Sequence, residues 1–227
     1  MSTENNDDRS PIECASPPCS MHEVDPAYVG LAPPARAVIP SSVVQWRKVE
    51  RERLIVSRLS LDAATRARHA RVIIEHLDVL IGEPAGLVLS AYWPFRGEPD
   101  LRSWLGDWCA RGGRAALPVV VTKNAPLVFR LWREGDRLTR GIWGIPVPAE
   151  GEAVQPDIVI APLVGFDAEC YRLGYGGGFF DRTLAALPES TTAIGVGYEQ
   201  AAMRTIRPQP FDMPMRYIIT EGGLRTR

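Results

Sequence analysis

The stretch "RLGYGGGFFDR", Arg172 to Arg182, gathers more chemistry-bearing residues than any other in the chain. Gly174, Gly176, Gly177 and Gly178 lie close together, followed by Phe179, Phe180 and Asp181. Glycine loses more backbone entropy on folding than any other residue, so such a cluster needs a compensating role. Backbone N–H groups without intervening side chains can converge on an anion, and a helix starting just beyond adds partial positive charge. A phosphate cradle is therefore expected, with a tight strand-to-helix turn as the plainer alternative. The flanking charges favour the cradle. A carboxylate such as Asp181 suits a phosphate site only with a cation between them, and Mg²⁺ takes one or two carboxylates plus phosphate oxygens. With Arg172 and Arg182 alongside, the combination reads as magnesium–nucleotide binding. A P-loop is excluded because no Gly-Lys-Ser/Thr ending is present. The dinucleotide fingerprint fails as well, since counting from Gly174 puts Phe179 where the last glycine belongs.

The elements around the loop must hold it in place. "DIVIAPLVGF" (157–166) is the strongest buried-strand signal and precedes the loop, while a helix from about Gly178 to Leu187 follows it. Upstream, "GLVLSAY" (86–92) reads as a strand and "DLRSWLGDWCARGG" as a helix closing at Gly112; "RAALPVV" and "LVFRLW" read as strands. "TTAIGVGY" and "RYIIT" complete the set. This alternation predicts an α/β fold: an open, largely parallel sheet with helices on both faces, a Rossmann-like three-layer arrangement. Ligands bind beyond the carboxyl ends of strands in such sheets, which is where the glycine loop falls.

Two helices come first. "SSVVQWRKVERERLIVSRLSL" has Ser41 or Ser42 as a candidate N-cap. Its Arg47, Arg51 and Arg58 fall within about 40° of one another at 3.6 residues per turn. The expectation for that stripe is a solvated face supported by Glu50 and Glu52. The second helix, about Asp62 to Ile81, buries Ile73, Ile74, Leu77, Leu80 and Ile81 by their spacing. His69 and His76 lie off that strip and are expected at the surface.

With 227 residues the chain suits one α/β domain, 41–227, and an irregular, disorder-prone extension, 1–40. For Cys14, Cys19 and His22 in the extension a docking arm or disordered tail is expected ahead of a metal site, because a structural zinc wants four ligands and no second cysteine pair follows. Cys109 and Cys170 have no recognisable spacing, and reduced thiols in a cytoplasmic chain fit best. A formal net charge of −1 recruits neither nucleic acid nor an anionic membrane, so an anion must be captured locally. No apolar run is long enough to span a bilayer, and the acidic, polar N-terminus lacks a secretory pattern.

"PDIVIAPLVGFDAECYRLGYGGGFFDRTLA" resembles the signature region of the 5-formyltetrahydrofolate cyclo-ligases, also called methenyltetrahydrofolate synthetases. "AYWPFRGEPDLR", "ALPVV", "PLVFRLW", "GIWGIPVP", "AIGVGYEQ" and "FDMPMRYIITEGG" match in the family's order, so the resemblance covers about residues 46–223. It implies that ATP phosphorylates the formyl oxygen of 5-formyltetrahydrofolate, that N10 closes onto the activated carbon, and that ADP, phosphate and 5,10-methenyltetrahydrofolate result. By the same resemblance Arg172, Leu173, Gly174, Tyr175, Gly176, Gly177, Gly178, Phe179 and Phe180 form the nucleotide loop. Tyr175 to Phe179 also lie near the folate, Tyr175 and Asp181 are the catalytic candidates, and Asp181 and Asp212 hold magnesium. Glu98 and Trp93 bind the folate. Some family members carry lysine at the position of Gly177, which marks it as the replaceable glycine.

The family also places a lysine and an arginine four apart on the first helix, against the ATP phosphates. Ungapped alignment through "RLSLDAA" puts Gln45 and Val49 there, whereas Arg47 and Arg51 keep the spacing two residues along. Both registers stay open. So do two other functions: a catalytically weak paralogue binding folate or nucleotide, and an RNA-binding module. Near-neutral charge and the lack of an aromatic RNA-binding strand argue against the last.

Overall fold

The computed structural model describes residues 41–227; the predicted extension, with Cys14, Cys19 and His22, lies outside them. Helix α1 (Ser41–Leu59) and helix α2 (Ala63–Ile81) lead into strand β1 (Val88–Ser90), helix α3 (Arg102–Ala110) and strand β2 (Arg114–Val119). Strands β3 (Val128–Trp132), β4 (Leu138–Arg140), β5 (Pro146–Pro148) and β6 (Ala153–Val154) follow. Next come β7 (Ile158–Pro162), β8 (Gly165–Phe166), β9 (Arg172–Leu173) and helix α4 (Phe179–Ala186), then β10 (Thr192–Val196), β11 (Tyr217–Thr220) and β12 (Gly223–Thr226).

The main sheet runs β12-β11-β10-β7-β1-β2-β3-β6. From β11 to β2 neighbouring strands are parallel, and the margins β12, β3 and β6 are antiparallel. All five residues of β7 are buried, as its continuous apolar run requires of a strand covered on both faces. Alternation sorts them. Ile158 and Ile160 share a core with Leu89, Leu117, Ile73 and Leu77 of α2, and Trp104, Leu105 and Trp108 of α3. Val159 lies on the other face with Val88, Ala116 and Phe129, against Phe180 and Leu184 of α4. The three-layer expectation is met.

Several details depart from expectation. Asp62 caps α2, accepting from the Thr65 N–H at 2.8 Å, whereas Ser41 and Ser42 already belong to α1. His69 and His76 are half-buried rather than at the surface. Nδ1 of His69 lies 3.2 Å from Glu221, and Nδ1 of His76 lies 3.1 Å from the Thr220 carbonyl, so both dock α2 against the end of β11. The arginine stripe of α1 is not solvated: Arg47 and Arg58 are buried, and Leu54 and Ile55 lie beside them. Among the described residues Cys109 and Cys170 are free thiols, and no helix is long and apolar enough to cross a membrane.

Trp108 is fully buried, and its indole N–H reaches the Arg114 carbonyl at 3.3 Å across the turn that starts β2. A Cβ at Gly113 would lie 2.2 Å from that indole nitrogen. Gly113→Ala should therefore expel the indole from its seat and cost about 1–3 kcal/mol. Thermal unfolding should show a drop of roughly 3–10 °C, and an unchanged midpoint would mean the indole is not held there.

Candidate active site

A cleft opens at the carboxyl ends of β1, β2 and β7. Tyr92 and Trp93 from the loop after β1 line it, with Pro118 and Val120 at the end of β2 and Pro162 at the end of β7. The chain turns one way from β1 to β2 and the other way from β7 to β10, so the cleft lies where strand order reverses.

The glycine loop forms one wall. It does not leave β7 directly: the hairpin β8–β9 intervenes, clamped by the buried Asp167, whose carboxylate accepts N–H groups from Glu169, Tyr171 and Ile206. Gly176 has φ +102° and Gly178 φ +62°, a region that side chains disfavour. Gly178 is the residue from which α4 starts. Gly174 serves a steric need, since a Cβ there would lie 2.5 Å from Nη1 of Arg172. Gly177 lacks positive φ, but a Cβ there would lie 2.9 Å from the Phe179 ring. Its expected replaceability therefore requires that ring to move. Leu173 packs its side chain into the core with Leu54, Val164 and Ile206. Phe180 lies beneath the Arg172 guanidinium, 5.2 Å from it, and also packs into the core.

Helix α1 supplies the facing charges. Gln45 and Val49 are exposed, whereas Arg47 and Arg51 line the cleft, so of the two registers the second brings basic groups to the loop. Arg51 donates from Nε to the Gly174 carbonyl at 2.7 Å, and its guanidinium lies 3.4 Å from where a Cβ on Gly176 would be. Its two terminal nitrogens have no partner among the described residues. Burial and the neighbouring Arg47 lower its pKa to about 10, which leaves it charged at neutral pH. Arg47 is committed elsewhere. It grips Asp212 with both Nη atoms and donates to the carbonyls of Ile206 and Arg207.

The two acids expected to hold magnesium both line this cleft. Asp181 pairs with Arg172 at 3.1 Å and accepts from the Met213 N–H at 3.3 Å. Asp212 pairs with Arg47 and accepts from the Gln209 N–H at 2.6 Å. Among the described residues no group of three or more His, Cys, Asp or Glu could cage a metal ion. Two carboxylates suit an ion that completes its shell with phosphate oxygens.

The opposite end is aromatic. Trp93 stands edge-on to Trp132 at 6.1 Å, and Tyr175 lies 5.8 Å from Phe95 and 6.5 Å from Trp143. Trp143 was not anticipated. It sits at φ +58° in the 3₁₀ turn Ile142–Gly144, which joins β4 to β5, and this hairpin carries it over the glycine loop near Phe179. The quoted "GIWGIPVP" held the signal, a large aromatic between glycines. Glu98, expected by the resemblance to bind the folate, is buried beneath Tyr175 and is not among the residues that line the cleft. It accepts the Tyr175 hydroxyl at 2.7 Å and the Phe95 N–H at 2.8 Å. Burial pushes its pKa up to about 7, against the opposing pull of Arg58. Arg58 was read only as part of the stripe. Leu54 and Ile55 lie on the same side of α1, which marked that side as the buried one.

A glycine loop with Arg51 over it and two arginine-held acids stand at the strand ends of an α/β protein, beside an aromatic pocket. The chain belongs to the 5-formyltetrahydrofolate cyclo-ligase family, whose model matches residues 43–221. The 5-formyltetrahydrofolate cyclo-ligase of Mycolicibacterium smegmatis is 30% identical over 75% of this chain and 91% of its own length. That of Haemophilus influenzae is 27% identical over 75% and 95%. The NMR structure of Aquifex aeolicus 5,10-methenyltetrahydrofolate synthetase superposes with a TM-score of 0.69 at 28% identity, covering 79% of this chain and 92% of that one.

Gly176 combines positive φ with the approach of Arg51. Gly176→Val should weaken nucleotide binding by about tenfold or more, since both strain and bulk oppose the loop geometry. Gly177→Ala, which displaces only an aromatic ring, should cost less. Titration of both variants with ATP checks the order, and equal affinities would reduce the loop to a turn.

Proposed function

We propose that this protein is an ATP-dependent 5-formyltetrahydrofolate cyclo-ligase that forms 5,10-methenyltetrahydrofolate. The observation that carries the reading is the union, in one cleft, of the glycine loop with Arg51 over it and the aromatic pocket of Trp93, Trp143 and Tyr175. The γ-phosphoryl group of ATP passes to the formyl oxygen as ADP leaves, N10 attacks the formyl carbon and loses its proton to the departing phosphate or to water, and the oxygen departs with phosphate. An amide oxygen leaves poorly until it is phosphorylated, so the protein must chiefly align two substrates and balance charge.

The residues divide accordingly. Arg51 and the N–H groups of Gly174 to Gly178 bind the phosphates. Asp181 and Asp212 would hold a magnesium ion, which neutralises phosphate charge when bound, and Arg172 and Arg47 keep those carboxylates in place. Trp93, Trp143 and Phe179 enclose the pterin, and Glu98 accepts its N–H donors on the lone pairs that the Tyr175 hydroxyl and the Phe95 N–H leave free. Burial and the adjacent Glu98 hold the Tyr175 phenol well above its usual pKa, so it acts as a hydrogen-bonding group with its proton in place. No histidine or cysteine lines the cleft among the described residues. A route without a protein nucleophile needs none.

Purified protein with 5-formyltetrahydrofolate, Mg²⁺ and ATP should develop the methenyl chromophore with matching release of ADP. Asp181→Asn should lower turnover by roughly 100-fold or more while the circular dichroism spectrum stays unchanged. Absence of product from the wild type would leave a binding protein. Normal turnover in the variant would make Asp181 structural.

A further inference from the structure

Behind the aromatic end of the cleft lies a buried polar cluster that the binding of two substrates does not by itself explain. Arg58 of α1, only 6% exposed, donates from Nη2 to the Tyr175 hydroxyl at 2.5 Å and from Nη1 to the Leu163 carbonyl at 3.2 Å. The Tyr175 hydroxyl in turn donates to Glu98 at 2.7 Å, and the guanidinium itself stands 3.9 Å from that carboxylate. Glu98 is the one carboxylate paired with Arg58 among the described residues. A buried guanidinium is costly unless it meets charge and acceptors, and a buried carboxylate stays ionised only when something opposes desolvation. Each answers the need of the other.

We propose that Arg58 is a positioning residue for the folate: through Tyr175 and by its own charge, it keeps Glu98 ionised and aimed at the pterin. This rests on the cyclo-ligase reading and adds a residue to it. A carboxylate accepts hydrogen bonds from the pterin edge at full strength only while charged, and the pKa of Glu98 lies near 7 even with Arg58 in place. Arg58 is the positive charge that lowers the Glu98 pKa against burial. The Glu98 charge acts in turn on Tyr92, Tyr198 and Tyr175, phenols that burial holds above their usual pKa. Arg66 and Glu221 act on Tyr198.

The test is the KM for 5-formyltetrahydrofolate and the KM for ATP, each measured between about pH 6 and pH 8.5. In the wild type the folate KM should climb as pH falls through about 7, because Glu98 takes up a proton. Arg58→Met should move that rise upward by about one pH unit and raise the folate KM at neutral pH by about tenfold, with the ATP KM unchanged within about twofold. Arg58→Lys, which keeps the charge, should recover part of the loss. Tyr175→Phe keeps the ring between Phe95 and Trp143 but removes the hydroxyl, and should shift the profile the same way by less. If Arg58→Met fails to fold, Arg58→Lys and Tyr175→Phe decide the matter by the same readout. A flat wild-type profile, or variants that move both KM values together without shifting the profile, would overturn the proposal and leave the cyclo-ligase reading intact. A wild type that neither binds nor converts 5-formyltetrahydrofolate would overturn both.

Discussion

The architecture of the site depends on the burial of arginines on α1. The inner face of that helix presents Leu54 and Ile55 together with Arg47, Arg51 and Arg58, so apolar packing alone cannot seat it. Removing a guanidinium from water costs several kcal/mol unless acceptors replace the lost solvent. The helix can therefore dock only where the carbonyls of Leu163, Gly174, Ile206 and Arg207 arrive together with Asp212 and Glu98. Those acceptors come from separate loops at the carboxyl ends of the strands. Seating α1 and shaping the loops are thus one event, and removing a partner from the Arg47–Asp212 pair would cost about 3–5 kcal/mol.

The glycine loop meets the same charges from the other side, and its glycines are not interchangeable. Gly174 gives passage to the Arg172 guanidinium, Gly176 turns the chain at positive φ under Arg51, and Gly178 reverses it into α4. The missing side chains answer different constraints: an approaching cation at Gly174, a dihedral angle at Gly176 and Gly178. That division explains how a cluster with a large entropic cost persists between a rigid hairpin and a helix.

The parts that read clearly from sequence are those governed by local pattern. The β7 run, the apolar strip of α2 and the glycine loop each carry their signal within a few residues, and the sheet follows from their alternation. What escaped depends on contacts between distant segments. The two-residue pairing of β8 with β9 is too short to show a period, and Trp143 reaches the cleft only because β4 and β5 fold it there. The charged stripe on α1 looked solvated because charge normally marks an outer face. It is buried because acceptors more than a hundred residues away meet it. Glu98 was legible only through the family resemblance, because "RGEPD" by itself reads as surface and a tyrosine from the glycine loop covers it.

The two ends of the cleft are joined through adjacent residues. The Gly174 carbonyl holds Arg51 at the glycine-loop end, and the next side chain, Tyr175, holds Glu98 and Arg58 at the aromatic end. One peptide unit separates these tethers, and it is stiff. A displacement of that unit reaches both tethers. In the proposed reaction the barrier is lowered by holding a phosphoryl donor in line with a formyl oxygen, and small misplacements there are expensive. Coupling both substrate ends through consecutive residues meets that demand without an exposed acid or base. It also accounts for the composition of the site, in which glycines and arginines take the place of a nucleophile and its partner.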